Sequence, residues 1–395
     1  MAVSTSFNKR VKAKIRHIPG TKPSLYNNQL LVSTGIPSLD AVLGGGLAVG
    51  TVLLVEEDLH ATYAQLMVKY FLAEGVVSGH ALSAASADID PDQLIQDLPA
   101  PIDDVPSRAT TTSTEQTEAA SQGSGDADNK MSIAWRYQNQ PKVQPAPTAQ
   151  FGHYYNLTKR MEAEKVNGAG IDCLSFTDLL AYEREQPSSP PYTSCRYKCV
   201  LHKIRKRIED GKFSTAVKSG QHNILRIAIH SLGSPLWGDG GSLHNHGEDN
   251  QVSLLQFLLA LRATLRTAFS VCLLTVPSHL FQDAGTVKRV ERLCDTVLRL
   301  ESFAGSGKAK NPAFRDYTGL LHLIKLPCLN EFVSRMPETL DLAFRVRRKK
   351  FTIEKLHLPP ELSDTASREQ DDPVPSLRPS LGCSSSATRS SKLDF

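Results

Sequence analysis

Cysteine is scarce and unpaired in number. The seven residues Cys173, Cys195, Cys199, Cys272, Cys294, Cys328 and Cys383 are scattered over 395 positions. An odd, dispersed set excludes a disulfide framework and reads as reduced thiols of the cytosol or nucleus. The N-terminus lacks the apolar core of a secretory signal. The longest apolar stretch, about Leu254 to Val276, is broken by Arg262 and Arg266. A charge at a bilayer centre costs about 3 kcal/mol, so the stretch reads as a helix followed by a strand and no membrane association is expected. Acid is absent from residues 1–39, which carry Lys9, Arg10, Lys12, Lys14, Arg16 and Lys22. The formal net charge is only +4, and without those six the remainder holds 39 basic against 41 acidic residues. That balance argues against a uniformly basic nucleic-acid binder while allowing local patches.

Residues 1–28 are expected to form a flexible basic arm. Such a segment also resembles a mitochondrial transit peptide, although it is poor in arginine. Large apolar residues are nearly missing from 103–130, and 361–395 is rich in Ser, Pro and charge. Neither can offset an ordering cost of roughly 1–2 kcal/mol per residue, so both are expected to be disordered. The stretch 138–150, QNQPKVQPAPTAQ, reads as a Pro/Gln linker.

What is present has an α/β rhythm. Thr51–Val55 is a short buried-strand run, and Tyr63, Leu66, Met67, Tyr70 and Phe71 share one helix face that Gly75 is expected to end. Strands are expected at His80–Ala85, Ile224–Ile229, Val271–Val276 and Thr296–Leu300. Leu254, Leu258, Leu261 and Leu265 mark a second helix. Leu320–Leu326 and Phe351–Leu356 read as late strands, with antiparallel pairing an option. The expected fold class is α/β, with a mostly parallel sheet flanked by helices and a long insertion at 101–220 inside a domain spanning 29–360.

Ligands in such sheets sit at the carboxyl ends of the strands. The approach to the first strand, STGIPSLDAVLGGGLAVG (33–50), resembles the RecA-like ATPase core, particularly its KaiC-type branch. ILRIAIHSLGSPLW, VCLLTVPSH and CDTVLRLES follow in the same order. A RecA-like ATPase carries G-x-x-x-x-G-K-[ST] after that strand. Here the stretch is Glu56-Glu57-Asp58-Leu59-His60-Ala61-Thr62-Tyr63. Glu56 and Ala61 replace the glycines, Thr62 stands in the lysine position and Tyr63 in that of the magnesium-binding hydroxyl. His230 follows ILRIAI where a Walker B carboxylate belongs. Three carboxylates, each worth roughly 1–4 kcal/mol at about 4 Å, and no lysine are expected to defeat nucleotide binding. The nearest substitute, Gly305-Ser306-Gly307-Lys308, lies after a late strand with the wrong spacing.

A second resemblance spans residues 30–365. LLVSTGIPSLDAVLGGGLAVGTVLLVEED, KYFLAEGVV, IAWRYQ, FGHYY, NILRIAIHSLGSPLWGD and FTIEKLHLPPELSDT are similar to the PAXNEB family, the fourth subunit of Elongator. That resemblance implies a RecA-like accessory subunit without working P-loop or catalysis of its own. It implies a hetero-hexameric ring with the fifth and sixth subunits, tRNA as ligand and a partner catalytic subcomplex that acts at carbon 5 of the wobble uridine. It implies a cytoplasmic protein, with the nucleus as a second compartment, and no cofactor. An active RecA-like ATPase or recombination protein and a transcription adaptor are the rivals.

Two basic clusters are the candidate RNA contacts. Lys288, Arg289 and Arg292 lie in the loop region 278–292, and Arg345, Arg347, Arg348, Lys349 and Lys350 form the densest cluster, flanked by Phe344 and Phe351, which are expected to pack inward. Loop 233–250 lacks Lys and Arg, and Lys198, Lys203, Arg205, Lys206 and Arg207 read as a solvated helix face. Cys195, Cys199 and His202 have no second pair at finger spacing, so no metal site is expected. His244-Asn245-His246 is too short to indicate a nuclease.

Overall fold

A computed structural model describes residues 18–24, 26–27, 29–102, 151–185, 195–217, 223–238, 246–334 and 336–357. The elements begin with β1 (Thr21–Pro23), β2 (Leu30–Val32), α1 (Pro37–Val42), β3 (Leu47–Ala48), β4 (Val52–Glu56), α2 (Thr62–Val77), β5 (Ala81–Ser86), α3 (Pro91–Gln96) and β6 (Pro99–Pro101). Next come β7 (Tyr155–Arg160), α4 (Ala163–Gly168), β8 (Asp172–Leu174), α5 (Phe176–Glu185), α6 (Cys195–Asp210), β9 (Leu225–His230), α7 (His246–Arg266) and β10 (Ser270–Val276). The chain continues with α8 (Ala284–Leu293), β11 (Thr296–Ser302), β12 (Gly319–Lys325), β13 (Leu342–Val346) and β14 (Phe351–Lys355). The expectations for 103–130, 138–150 and 361–395 lie outside the described residues.

The main sheet runs β14-β13-β12-β11-β4-β10-β9-β5-β8. Pairing is parallel from β8 through β11 and antiparallel from β11 to β14. This is the expected mixed α/β architecture, consistent with a RecA-like core. The late strands are antiparallel, and β13, which runs into the Arg345–Lys350 cluster, is an additional strand. β4 sits centrally, and all five of its residues are buried. Its side chains alternate between two cores. Leu53 and Val55 join Met67, Phe71 and other residues of α2 on one face, while Val52 and Leu54 join residues of α6, α7 and α8 on the other.

The long apolar stretch divides as expected, α7 ending at Arg266 and β10 starting at Ser270. Arg262 and Arg266 both donate to the buried Asp295 carboxylate, which also accepts the Val52 N–H. No helix among the described residues is long and apolar enough to cross a membrane. Within 1–28, β1 pairs with β2 and Ile18 is buried, so this portion is folded. Within 101–220, β8 forms the edge of the main sheet, and Tyr155, Leu179, Tyr197 and Ile204 are core residues. At the opposite edge, the N–H groups of Phe351 and Ile353 donate to Tyr70 Oη and Ser38 Oγ, which blunts the edge against strand addition.

The expectation for Gly75 also fails. Gly75 does not end the helix, since α2 continues to Val77. Its lack of a side chain serves packing instead: a Cβ there would lie 2.3 Å from Leu82 Cδ2 and 3.0 Å from Arg226 Cδ. Intrinsic helix propensity favours alanine over glycine by roughly 1 kcal/mol. Overpacking a buried contact costs about 1–3 kcal/mol. Gly75→Ala is therefore expected to lower stability in urea denaturation, and a gain would show that the α2–β5–β9 contact is loose.

Candidate functional site

The carboxyl end of β4 and the amino end of α2 form the turn where a RecA-like protein would hold phosphate. The turn carries three buried carboxylates of its own, Glu56, Glu57 and Asp58. Ala61, at the second glycine position, has φ of 54° and precedes the first turn of α2. That left-handed conformation favours glycine and is uncommon for alanine. Asp58 folds back over the helix end. Its Oδ2 accepts the Thr62 N–H at 3.2 Å, and its Oδ1 accepts those of Tyr63 and Ala64 at 3.0 and 3.2 Å. These are the unsatisfied donors that make a helix amino end attractive to anions.

The two glutamates are also occupied. Glu56, buried at the end of β4, accepts from Arg299 Nε at 2.8 Å across the β4–β11 pair. Arg299 is shared with Glu291. Glu57 accepts from the hydroxyls of Thr275 on β10 and Ser231 after β9. Burial pushes its carboxyl up to about 7, against the opposing effect of those two hydroxyls. The three carboxylates therefore do not act as three free charges facing solvent. One is ion-paired, one titrates near neutrality and one caps a helix. Tyr63 packs its ring 4.8 Å from that of Phe344, Thr62 is exposed, and Leu59 and His60 project to solvent.

His230 ends β9, buried, with Nδ1 3.5 Å from Ser86 Oγ. Burial pushes its pKa down to about 4, so it is a neutral imidazole at pH 7 and no substitute for a carboxylate toward magnesium. Lys308, in the substitute glycine stretch, pairs with Glu301. No group of three or more His, Cys, Asp or Glu suited to a metal occurs among the described residues.

The basic candidates separate by geometry. Lys288, Arg289 and Arg292 are exposed on α8, with Lys288 tied to Glu291 at 2.8 Å. Arg345, on β13, is largely buried between Asp316 and Glu354. Arg347, Arg348 and Lys349 are exposed in the β13–β14 turn, which the Arg347–Lys350 backbone pair closes. Lys350 Nζ lies 4.9 Å from the Tyr154 ring centroid. Phe344 and Phe351 are buried, as expected. Part of loop 233–250, including His244 and Asn245, lies outside the described residues.

Sequence reasoning missed a buried polar network at the other end of the sheet. Arg226, wholly buried in β9, donates from Nε to His80 Nδ1 at 2.9 Å and from Nη1 to Ser33 O at 2.8 Å. Glu74, on α2, accepts from Tyr155 Oη at 2.7 Å and from the His153 N–H at 3.1 Å. Burial alone would raise the Glu74 pKa, but the bond from His153 and the Arg226 charge hold it below the ordinary range. Burial and Arg226 push His80 down to about 3. Asp40 accepts from Ser33 and Thr34, fixing the TGIPSLD turn, and burial pushes it up to about 6. Gly35 in that turn has φ of +87°, and a Cβ would meet Tyr70 O at 2.3 Å. The available signals were the arginine inside ILRIAI, the acid in LAEGVV and the polar atoms of FGHYY.

The whole chain is similar to known proteins. The family model described as PAXNEB protein matches residues 14–395. Elongator complex protein 4 of Xenopus laevis is 45% identical over 401 residues, covering 100% of this chain and 96% of the relative. The Danio rerio protein of the same name is 47% identical over 406 residues, covering 99% and 96%. That of Homo sapiens is 44% identical over 386 residues, covering 96% and 89%.

Glu57 gives the turn a pH signature. Its folded pKa, about 7, lies above its ordinary value of 4.5, so the folded state holds the extra proton. The contribution of Glu57 to stability then falls as pH rises from about 4.5 to 7 and levels off above. Glu57→Gln removes this dependence. Relative to the parent, the variant is expected to gain stability across that window, by roughly 2–3 kcal/mol at most. Parallel urea curves at pH 5, 6, 7 and 8 check this, and a constant difference would place a free carboxylate at Glu57.

Proposed function

The chain belongs to the PAXNEB family, and on that premise we propose that it is a non-catalytic RecA-like accessory subunit of Elongator, supporting modification of tRNA at carbon 5 of the wobble uridine. The observation that carries the non-catalytic reading is Asp58 on the amino end of α2, where nucleotide phosphates would otherwise bind. Its support comes from Glu56 paired to Arg299 and from neutral His230 at the Walker B position. In this reading the chain assembles with the fifth and sixth Elongator subunits in a hetero-hexameric ring, which serves the catalytic subcomplex in the cytoplasm, with a nuclear pool as the secondary location. The rival reading as an active ATPase lacks the lysine and glycines that such chemistry requires.

For tRNA, the exposed β13–β14 turn is the favoured contact. Arg347, Arg348 and Lys349 carry charge into solvent at the tip of the β13–β14 hairpin, whereas Arg345 is already paired with two carboxylates. Replacing a phosphate-bound cation lowers affinity and flattens its salt dependence.

Copurification of the tagged full chain is expected to bring the catalytic Elongator subunits, and its loss to leave wobble uridines hypomodified. Arg347→Ala, Arg348→Ala and Lys349→Ala combined should weaken tRNA binding by the reconstituted complex about tenfold or more and reduce the salt slope by about 2. Arg345→Ala should have a smaller effect on both. An unchanged slope in the triple variant would remove this turn from the RNA interface.

A further inference from the structure

A cavity of about 770 Å³ lies beside the buried polar network, between the end of α2, the start of β5, the β6–β7 pair and α4. Ligand pockets are typically about 300–1,000 Å³, apolar-walled, with a few converging polar groups and perturbed titratable residues nearby. This cavity has those attributes. Val77, Ile102 and Tyr154 supply apolar and aromatic wall, and His153 and Lys165 supply the ionisable groups. No Asp or Glu is among its described lining residues.

His153 is held as an orienting carboxylate holds an imidazole. Its Nδ1 lies 3.2 Å from both oxygens of the buried Glu74 carboxylate, leaving Nε2 as the remaining polar atom of the ring. Glu74 is in turn fixed by Tyr155 and by the Arg226 charge. The bond to Glu74 raises the His153 pKa and so favours a ring that donates from both nitrogens. Lys165 is exposed on α4, and its 3.1 Å pair with Glu162 is a surface pair of adjacent helix turns that contributes little. An incoming anion can compete for it.

We propose that this cavity binds a small aromatic anion of mononucleotide size, its ring between Val77, Ile102 and Tyr154 and its phosphate or carboxylate toward His153 and Lys165. The site is distinct from the Glu56–Tyr63 turn. It adjoins the far end of α2, a 16-residue helix, and so lies on the order of 20 Å away. Its existence does not depend on the reading of the chain as an Elongator subunit.

The test is calorimetric titration of the full chain with adenosine monophosphate, adenosine and inorganic phosphate separately. Gly168 lines the cavity, and a Cβ there meets nothing within 4 Å, so Gly168→Leu can occupy the space without disturbing the fold. Adenosine monophosphate is expected to saturate with a dissociation constant below about 1 mM, and adenosine and phosphate to bind at least about tenfold more weakly. Lys165→Ala should weaken the monophosphate about tenfold, and Gly168→Leu should abolish its binding with the urea midpoint unchanged. No saturation by the monophosphate at millimolar concentration, equal binding of adenosine, or unchanged affinity in Gly168→Leu would each overturn the proposal.

Discussion

The amino end of α2 needs an anion, and the chain supplies its own. Unsatisfied N–H groups and the helix dipole create that demand wherever a parallel strand turns directly into a helix. In a P-loop protein the ligand's phosphates meet it. Here Asp58 does so with hydrogen bonds from three consecutive backbone N–H groups. The neighbouring residues adjust around that cap. Ala61 takes the left-handed conformation, Glu57 turns toward Ser231 and Thr275, and Glu56 stays in β4 beside Arg299. Strand–turn–helix geometry is thus held by hydrogen bonds within the chain.

The opposite end of the sheet is organised by a second electrostatic demand. A wholly buried guanidinium is costly unless it is paired and hydrogen-bonded. Arg226 enlists Ser33, Phe71 and His80, and it shares the field of Glu74. Glu74 then recruits His153 and Tyr155 from the far side of residues 103–150. Four sequence segments that look unrelated, TGIPSLD, LAEGVV, FGHYY and ILRIAI, are therefore parts of one buried structure.

The legible parts of the sequence were those governed by periodicity. Runs such as VLLV and VCLLTV, buried on both faces, announced the parallel strands, and the spacing of Tyr63 to Phe71 announced α2. The turn at 56–63 was legible as an absence of glycine and lysine, but the role of its carboxylates was not. Charge repulsion was the sequence argument, whereas Glu56 is neutralised by a residue 243 positions away. Gly75 misled because a glycine at a helix end and a glycine under a close contact look alike in one dimension. β13 escaped because Arg345 and its neighbours read as a charge cluster, although Leu342, Ala343 and Phe344 are buried.

The central claim is that the phosphate seat is already filled from within. Equilibrium binding of magnesium–ATP to the isolated full chain, with Asp58→Ala measured alongside, tests it most directly. No saturable binding at this turn is expected into the millimolar range, so any saturation by the parent is lost with Gly168→Leu, which fills the cavity beside α4. Micromolar binding that persists in Gly168→Leu and changes with Asp58→Ala would contradict the claim.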